Sequence, residues 1–83
     1  MRAHVTDRAY ALTEIGYPDY VLIKNLDPTN SVYADDSVTA PATYGVELSP
    51  GGGITWAPHH PCYLQCPTGL TAQVAYVFGT NLT

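Results

Sequence analysis

The sequence predicts an all-β fold: a small antiparallel β-sandwich or barrel of about seven short strands with an extended N-terminal arm. Three observations predict it. Seven prolines and seven glycines punctuate the 83 residues at short intervals. Between them lie β-branched and aromatic runs of strand length. The run LTAQVAYVF also alternates without a break, Leu70, Ala72, Val74, Tyr76 and Phe78 on one face and Thr71, Gln73, Ala75 and Val77 on the other. Period two with one apolar face is the pattern of a half-buried antiparallel strand.

Taken in chain order, the leader from Met1 to Asp19 shows no core-forming pattern of its own. Within it RAYALTEI, Arg8 to Ile15, has no cap at its end and reads as an extended arm or an edge strand rather than a helix. Residues 1–19 are therefore expected to form an arm or edge strand, and residues 20–83 the sandwich. YVLIKNL, Tyr20 to Leu26, is the first strand of that sandwich and ends at DPTN, where Pro28 holds Asp27 extended and sets a turn. SVYA, from Ser31, and SVTA, from Ser37, follow as short strands on either side of a polar loop. YGVELSPGGG runs as a strand through Val46 and Leu48 and then turns after Pro50. ITWA begins at Ile54 and the proline-bounded CYLQC comes next. PTG, Pro67 to Gly69, reads as a hairpin loop with glycine available for positive φ. Val21, Ile23, Val32, Val46, Leu48, Ile54, Leu64, Val74 and Tyr76 are the expected core.

Composition limits the function. Lys, Arg, Asp and Glu make up 12% of the chain, against roughly 25% in an average soluble protein. Low charge with seven tyrosines suits a surface covered by neighbours, since interface cores lose charge and gain aromatics. A domain of this mass has a thin core and commonly draws stability from disulfides, metals or assembly. The net charge of −4, with Arg2, Arg8 and Lys24 as its only Lys and Arg residues, argues against nucleic acid, which demands clustered cations. No run approaches the ~20 apolar residues of a membrane span, and the start has no apolar signal-peptide segment. Synthesis and folding in a cytoplasm are expected, where cysteines default to thiols.

HHPCYLQCP, His59 to Pro67, is the densest chemistry in the chain. Cys62 and Cys66 have half the spacing of a zinc site, and His59 and His60 offer the other half. Geometry argues against metal. In an extended CYLQC the cysteines share a face but lie about 13 Å apart, too far for one ion or for a disulfide. Adjacent histidines on a strand point to opposite faces. Cys62, Leu64 and Cys66 are therefore read as the inward side of one strand, with the thiols reduced, unbridged and metal-free. Asp35 and Asp36 fall in a turn, where aspartate caps the backbone. Gly51 to Gly53 lack the lysine and helix of a phosphate loop, and Ser31, Ser37 and Ser49 have no histidine–acid partner. No catalytic set and no cofactor site emerge.

Several of these elements also form a longer pattern. An apolar strand ends in Asn25, Val32–Tyr33 and Val38–Thr39 flank a polar loop, Gly45 precedes an apolar pair, and Leu48 to Gly51 give "L-x-P-G". Tyr63 and the stretch from Thr68 to Val77, "TGxTAxVxV", close it. In these features the chain resembles small β-sandwich structural proteins of tailed bacteriophages, over about two thirds of its length. The resemblance implies a virion component that is not an enzyme: a capsid decoration or cement protein that binds and stabilises the head shell. Its partners would be itself, as a homotrimer, and the major capsid protein or other virion proteins. Its location would be the capsid surface, with host cytoplasm during assembly. Tyr10 and Tyr17 are the expected aromatic anchors of a leader lying across a neighbour. The proline-stiffened segment with Trp56, His59 and His60 is the second expected contact. Two other readings stand beside this one: a tail, neck or fibre-associated module, and a host-surface glycan-binding module that stacks sugars on Trp56 and nearby tyrosines.

Overall fold

Strict alternation gives the longest strands, and the turns between them send the chain from layer to layer. The computed structural model describes residues 1–12, 20–38, 40–56 and 61–79. Along them run β1 (Arg2–Val5), β2 (Tyr10–Ala11), β3 (Tyr20–Asn25), β4 (Val32–Asp35), the one-turn helix α1 (Pro41–Tyr44), β5 (Val46–Leu48), β6 (Gly53–Trp56), β7 (Tyr63–Gln65) and β8 (Ala72–Gly79). They form two four-stranded sheets, ordered β1-β8-β3-β6 and β2-β7-β4-β5. Every ladder is antiparallel, and the two sheets pack face to face as a sandwich.

Among the described strands only β4 and β5 are neighbours in both chain and sheet; every other consecutive pair lies in opposite sheets. The turn signals are thus arches between layers. PTG illustrates the point. Leu70 N–H donates to the Pro67 carbonyl at 3.0 Å and Gly69 takes φ 80°, so the tight turn is there. It joins β7 to β8 across the sandwich, not the two arms of a hairpin.

The inward positions of both sheets make one core of Ala3, Val5, Leu12, Val21, Ile23, Val32, Ala34, Leu48, Cys62, Leu64, Cys66, Ala72 and Val74, with Ile54, Trp56, Tyr76 and Phe78 packed against it. Three of these come from the leader, which was expected to be an arm or an edge strand without a core pattern of its own. Ala3 and Val5 alternate into the core from β1, and Leu12 follows β2. Residues 1–12 are edge strands of the domain itself, β1 on β8 and β2 on β7, not an arm reaching away from it.

Two further expectations differ. Of the strand expected from Ser37, the described residues form none and Thr39 lies outside them: residues 36–38 bend, and Pro41, at a position that suits its fixed φ, starts α1 behind Ala40 at φ 50°. Gly45 then passes so close to β4 that a Cβ would stand 2.6 Å from the carbonyl oxygens of Ala34 and Pro41. Val46, expected in the core, is 52% exposed because it sits at the margin of the edge strand β5.

Asn25 is the buried polar residue of the described core. Its Nδ2 donates to the carbonyls of Asn30 at 2.8 Å and Leu48 at 2.9 Å, while its Oδ1 accepts from Asp27 N–H at 2.9 Å. One side chain thus fastens the end of β3 in one sheet to the end of β5 in the other, and no buried side-chain nitrogen or oxygen among the described residues lacks a partner. The chain exposes 4946 Å², close to the roughly 4,800 Å² expected for a compact monomer of its mass. What the surface is made of, rather than how much of it there is, bears on association.

Candidate interaction surfaces

Register sorts the outward residues of each sheet into cross-strand rows. On the β1-β8-β3-β6 sheet, Arg2 and Lys24 both lie opposite Ala75, and Gly53 lies beyond Lys24. The next row is Val77, Leu22 and Thr55. A third pairs Tyr20 with Gly79, where a Cβ on the glycine would overlap the tyrosine ring. His4 lies opposite Gln73 at the other end. Leu22 and Val77, 45% and 55% exposed, give this face an apolar centre. The small residues Gly53 and Ala75 hollow it into a trough of about 430 Å³, lined also by Leu22, Lys24, Thr55 and Val77.

The β2-β7-β4-β5 sheet presents a different outward face. Glu47, Tyr33 and Gln65 form one row, and Asp35 pairs with Tyr63, which also faces Ala11. Glu47 Oε2 accepts from Ser31 Oγ at 2.8 Å and from the Tyr33 hydroxyl at 3.4 Å. Desolvation, and then the Glu47 charge, push the Tyr33 phenol above its usual range. Gln65 reaches outward to accept from Ala42 N–H at 3.0 Å and to donate to the Asp7 carbonyl at 2.6 Å, so α1 and the β1–β2 loop flank this face.

Charge is divided between the two sheets. The strands RAHV, AQVAYVFG, YVLIKN and GITW contain Arg2 and Lys24 and no acid. The strands YA, YLQ, VYAD and VEL contain Asp35 and Glu47 and no Lys or Arg.

Of the five residues expected at interfaces, Tyr17, His59 and His60 lie outside the described residues. Tyr10 sits in β2 opposite Leu64, with 37% of its surface exposed. Trp56 closes β6 rather than standing on a loop; its ring packs against the core and Nε1 donates to the Pro61 carbonyl at 3.0 Å. The outward face of β3 and β8 was missed, because its rows exist only once the strands are in register.

The cysteines flank β7, and with Leu64 they point fully inward, both unbridged. Burial pushes the Cys62 thiol up to about 12. It raises Cys66 as well, with the charges of Asp27 and Asp7 adding to the effect; the Cys66 thiol lies 3.6 Å from the Val5 carbonyl. Thiols so held are poor nucleophiles and poor metal ligands. Among the described residues no three of His, Cys, Asp and Glu come together as metal ligands. The Asp27 carboxylate is held below its usual range by the backbone N–H groups of Asn30 and Thr29, which marks it as the organiser of the β3–β4 arch.

Comparisons with protein-family models, with characterised proteins and with solved structures find no significant similarity.

Proposed function

We propose that the protein is a non-enzymatic structural component of a bacteriophage virion, a decoration or cement protein that seats on the head shell and works in several copies. The observation that carries this reading is the ordered pattern from Asn25 to Val77, which resembles the β-sandwich structural proteins of tailed phages. Three features support it. The fold is a small all-β sandwich. Charged residues are sparse at 12% of the chain. The surface divides into an apolar face edged by cations and an acidic, tyrosine-bearing face, a composition suited to contacts with neighbouring subunits. A homotrimer at the local three-fold positions of an icosahedral shell is the arrangement that closed symmetry favours.

Imaging virions of the producing phage with labelled antibody against this protein tests the reading. Label distributed over heads is the expected result. Label confined to tails, necks or fibres transfers the protein to the second structural class, and virions without label overturn the virion role. The glycan reading has less support, since Trp56 is half-buried against the core and its Nε1 is taken up by the Pro61 carbonyl.

A further inference from the structure

We infer that the outer face of the β1-β8-β3-β6 sheet is a docking site for a second copy of this chain, which presents the outer face of its β2-β7-β4-β5 sheet. Charge complementarity is the first ground. Across the first face Arg2 and Lys24 flank Ala75, two strand spacings or about 10 Å apart. On the second face Glu47 stands opposite Tyr33, and Asp35 is two residues along β4, a diagonal separation of about 8 Å. Two cations thus meet two acids at spacings that their side chains can match. The small residues Gly53 and Ala75 floor the trough that Lys24 lines, with Arg2 on the other side of Ala75. Tyr33 and Tyr63 beside the acids supply apolar body and hydroxyl to set against Leu22, Val77 and Thr55.

Contact area gives the second ground and sets the strength. Four strands about 4.8 Å apart and about five residues long cover roughly 300–400 Å², half or less of the ~800 Å² per partner of a stand-alone complex. The contact is therefore weak in free solution and salt-sensitive, and accumulates where many copies are held together. Because the two faces lie back to back, the contact is head-to-tail and leaves a free face at each end. It propagates as a row of subunits, which differs from the closed trimer considered above. The inference takes from the virion reading only that the protein works in many copies. Purified protein tests the contact and virion imaging tests the role, so either can fail alone.

Sedimentation velocity over a range of protein concentration provides the test. The wild-type weight-average mass should rise continuously with concentration at about 0.02 M salt and fall back toward monomer at about 0.5 M. The Arg2→Glu/Lys24→Glu and Asp35→Lys/Glu47→Lys variants should each weaken self-association by about tenfold or more. Mixed together, they should associate again and grow, since the two intact faces pair and the reversed charges on the other two faces are once more of opposite sign. Leu22→Asp, at an exposed position, checks the trough separately and should act like the first variant. A wild-type species of fixed size, self-association retained in either double variant, or failure of the mixture to pair would each overturn the inference.

Discussion

The sheet β1-β8-β3-β6 is held along its length, whereas the sheet β2-β7-β4-β5 is held at its margins. In the first, β3 and β8 pair through six successive residues, Tyr20–Asn25 against Val74–Gly79. In the second, no ladder exceeds three pairs and β2 has two residues. The shorter ladders are supplemented from outside. Leu12 N–H donates to the Cys62 carbonyl and Cys66 N–H to the Thr6 carbonyl, each at 2.8 Å. Gln65 ties α1 to Asp7, whose carboxylate accepts from Gly69 N–H at 2.9 Å. Where strand pairing is short, loops and polar side chains supply the hydrogen bonds, and both ends of β7 depend on the N-terminal segment.

Removing that segment is the largest way to break the comparison. Deletion of residues 2–12 strips an edge strand from each sheet, takes Ala3, Val5 and Leu12 from the core, and leaves Cys62 and Cys66 without cover. The truncated chain is expected to lose the cooperative urea transition. A sharp transition with β-type far-UV circular dichroism would show instead that both sheets stand without their edges.

Asn25→Leu cuts the link between the sheets while keeping the γ-branched shape of the side chain, at a larger volume. It leaves the carbonyls of Leu48 and Asn30 and the N–H of Asp27 without their side-chain partner. A loss of about 3 kcal/mol or more is expected from such buried orphans, read as a lower urea midpoint at unchanged slope. A midpoint close to wild type would mean that the strands alone keep the sheets together.

The buried thiols sharpen the contrast through pH. Cys62 keeps its proton in the fold up to about 12, against an ordinary value of 9.0, so above that ordinary value the unfolded chain binds fewer protons than the folded one. Stability is fully present below it and declines as pH rises toward the folded value, by up to about 1.4 kcal/mol per pH unit. Urea midpoints from pH about 8 to about 11 should fall more steeply for wild type than for Cys62→Ala; equal slopes would refute the assignment. Cys66 and Tyr33 are present in both proteins, so their raised values cancel in the difference.

The smallest effect is expected on the outer face of the longer sheet. Lys24 is exposed, so Lys24→Gln should change stability by no more than about 0.5 kcal/mol, whatever it does to association. A larger loss in monomer stability would show that the cation supports the sheet itself.

Sequence showed most where structure is local. Tyr20 to Asn25 and Ala72 to Phe78 alternate long enough to be read as strands from their own residues. Cys62, Leu64 and Cys66 were legible as one inward face for the same reason. RAHV alternates too, but four residues give little signal, and the strand β1 is fixed by β8, some seventy residues away. Ser37 onward looked β-like from Val38 and Thr39, while Ala40 in the left-handed region and Pro41 turn the described chain into α1. Arg2 and Lys24 read as scattered cations because only register places both opposite Ala75. The Asn that ends the first strand of the phage-like pattern was visible; its hydrogen bonds across the sandwich were not.

The position of β8 also orders events during synthesis. The strands of the β2-β7-β4-β5 sheet have all emerged once residue 65 leaves the ribosome, so this sheet can begin to assemble early. Its counterpart lacks the central strand until residue 79 appears, since β8 separates β1 from β3. At about 5–20 residues per second, β1 spends seconds with its backbone unpaired, and β3 has only β6 beside it. The sheet with the longest ladder is the last to be completed, and a nascent chain stalled before residue 72 would expose two unfilled strand edges to whatever lies nearby.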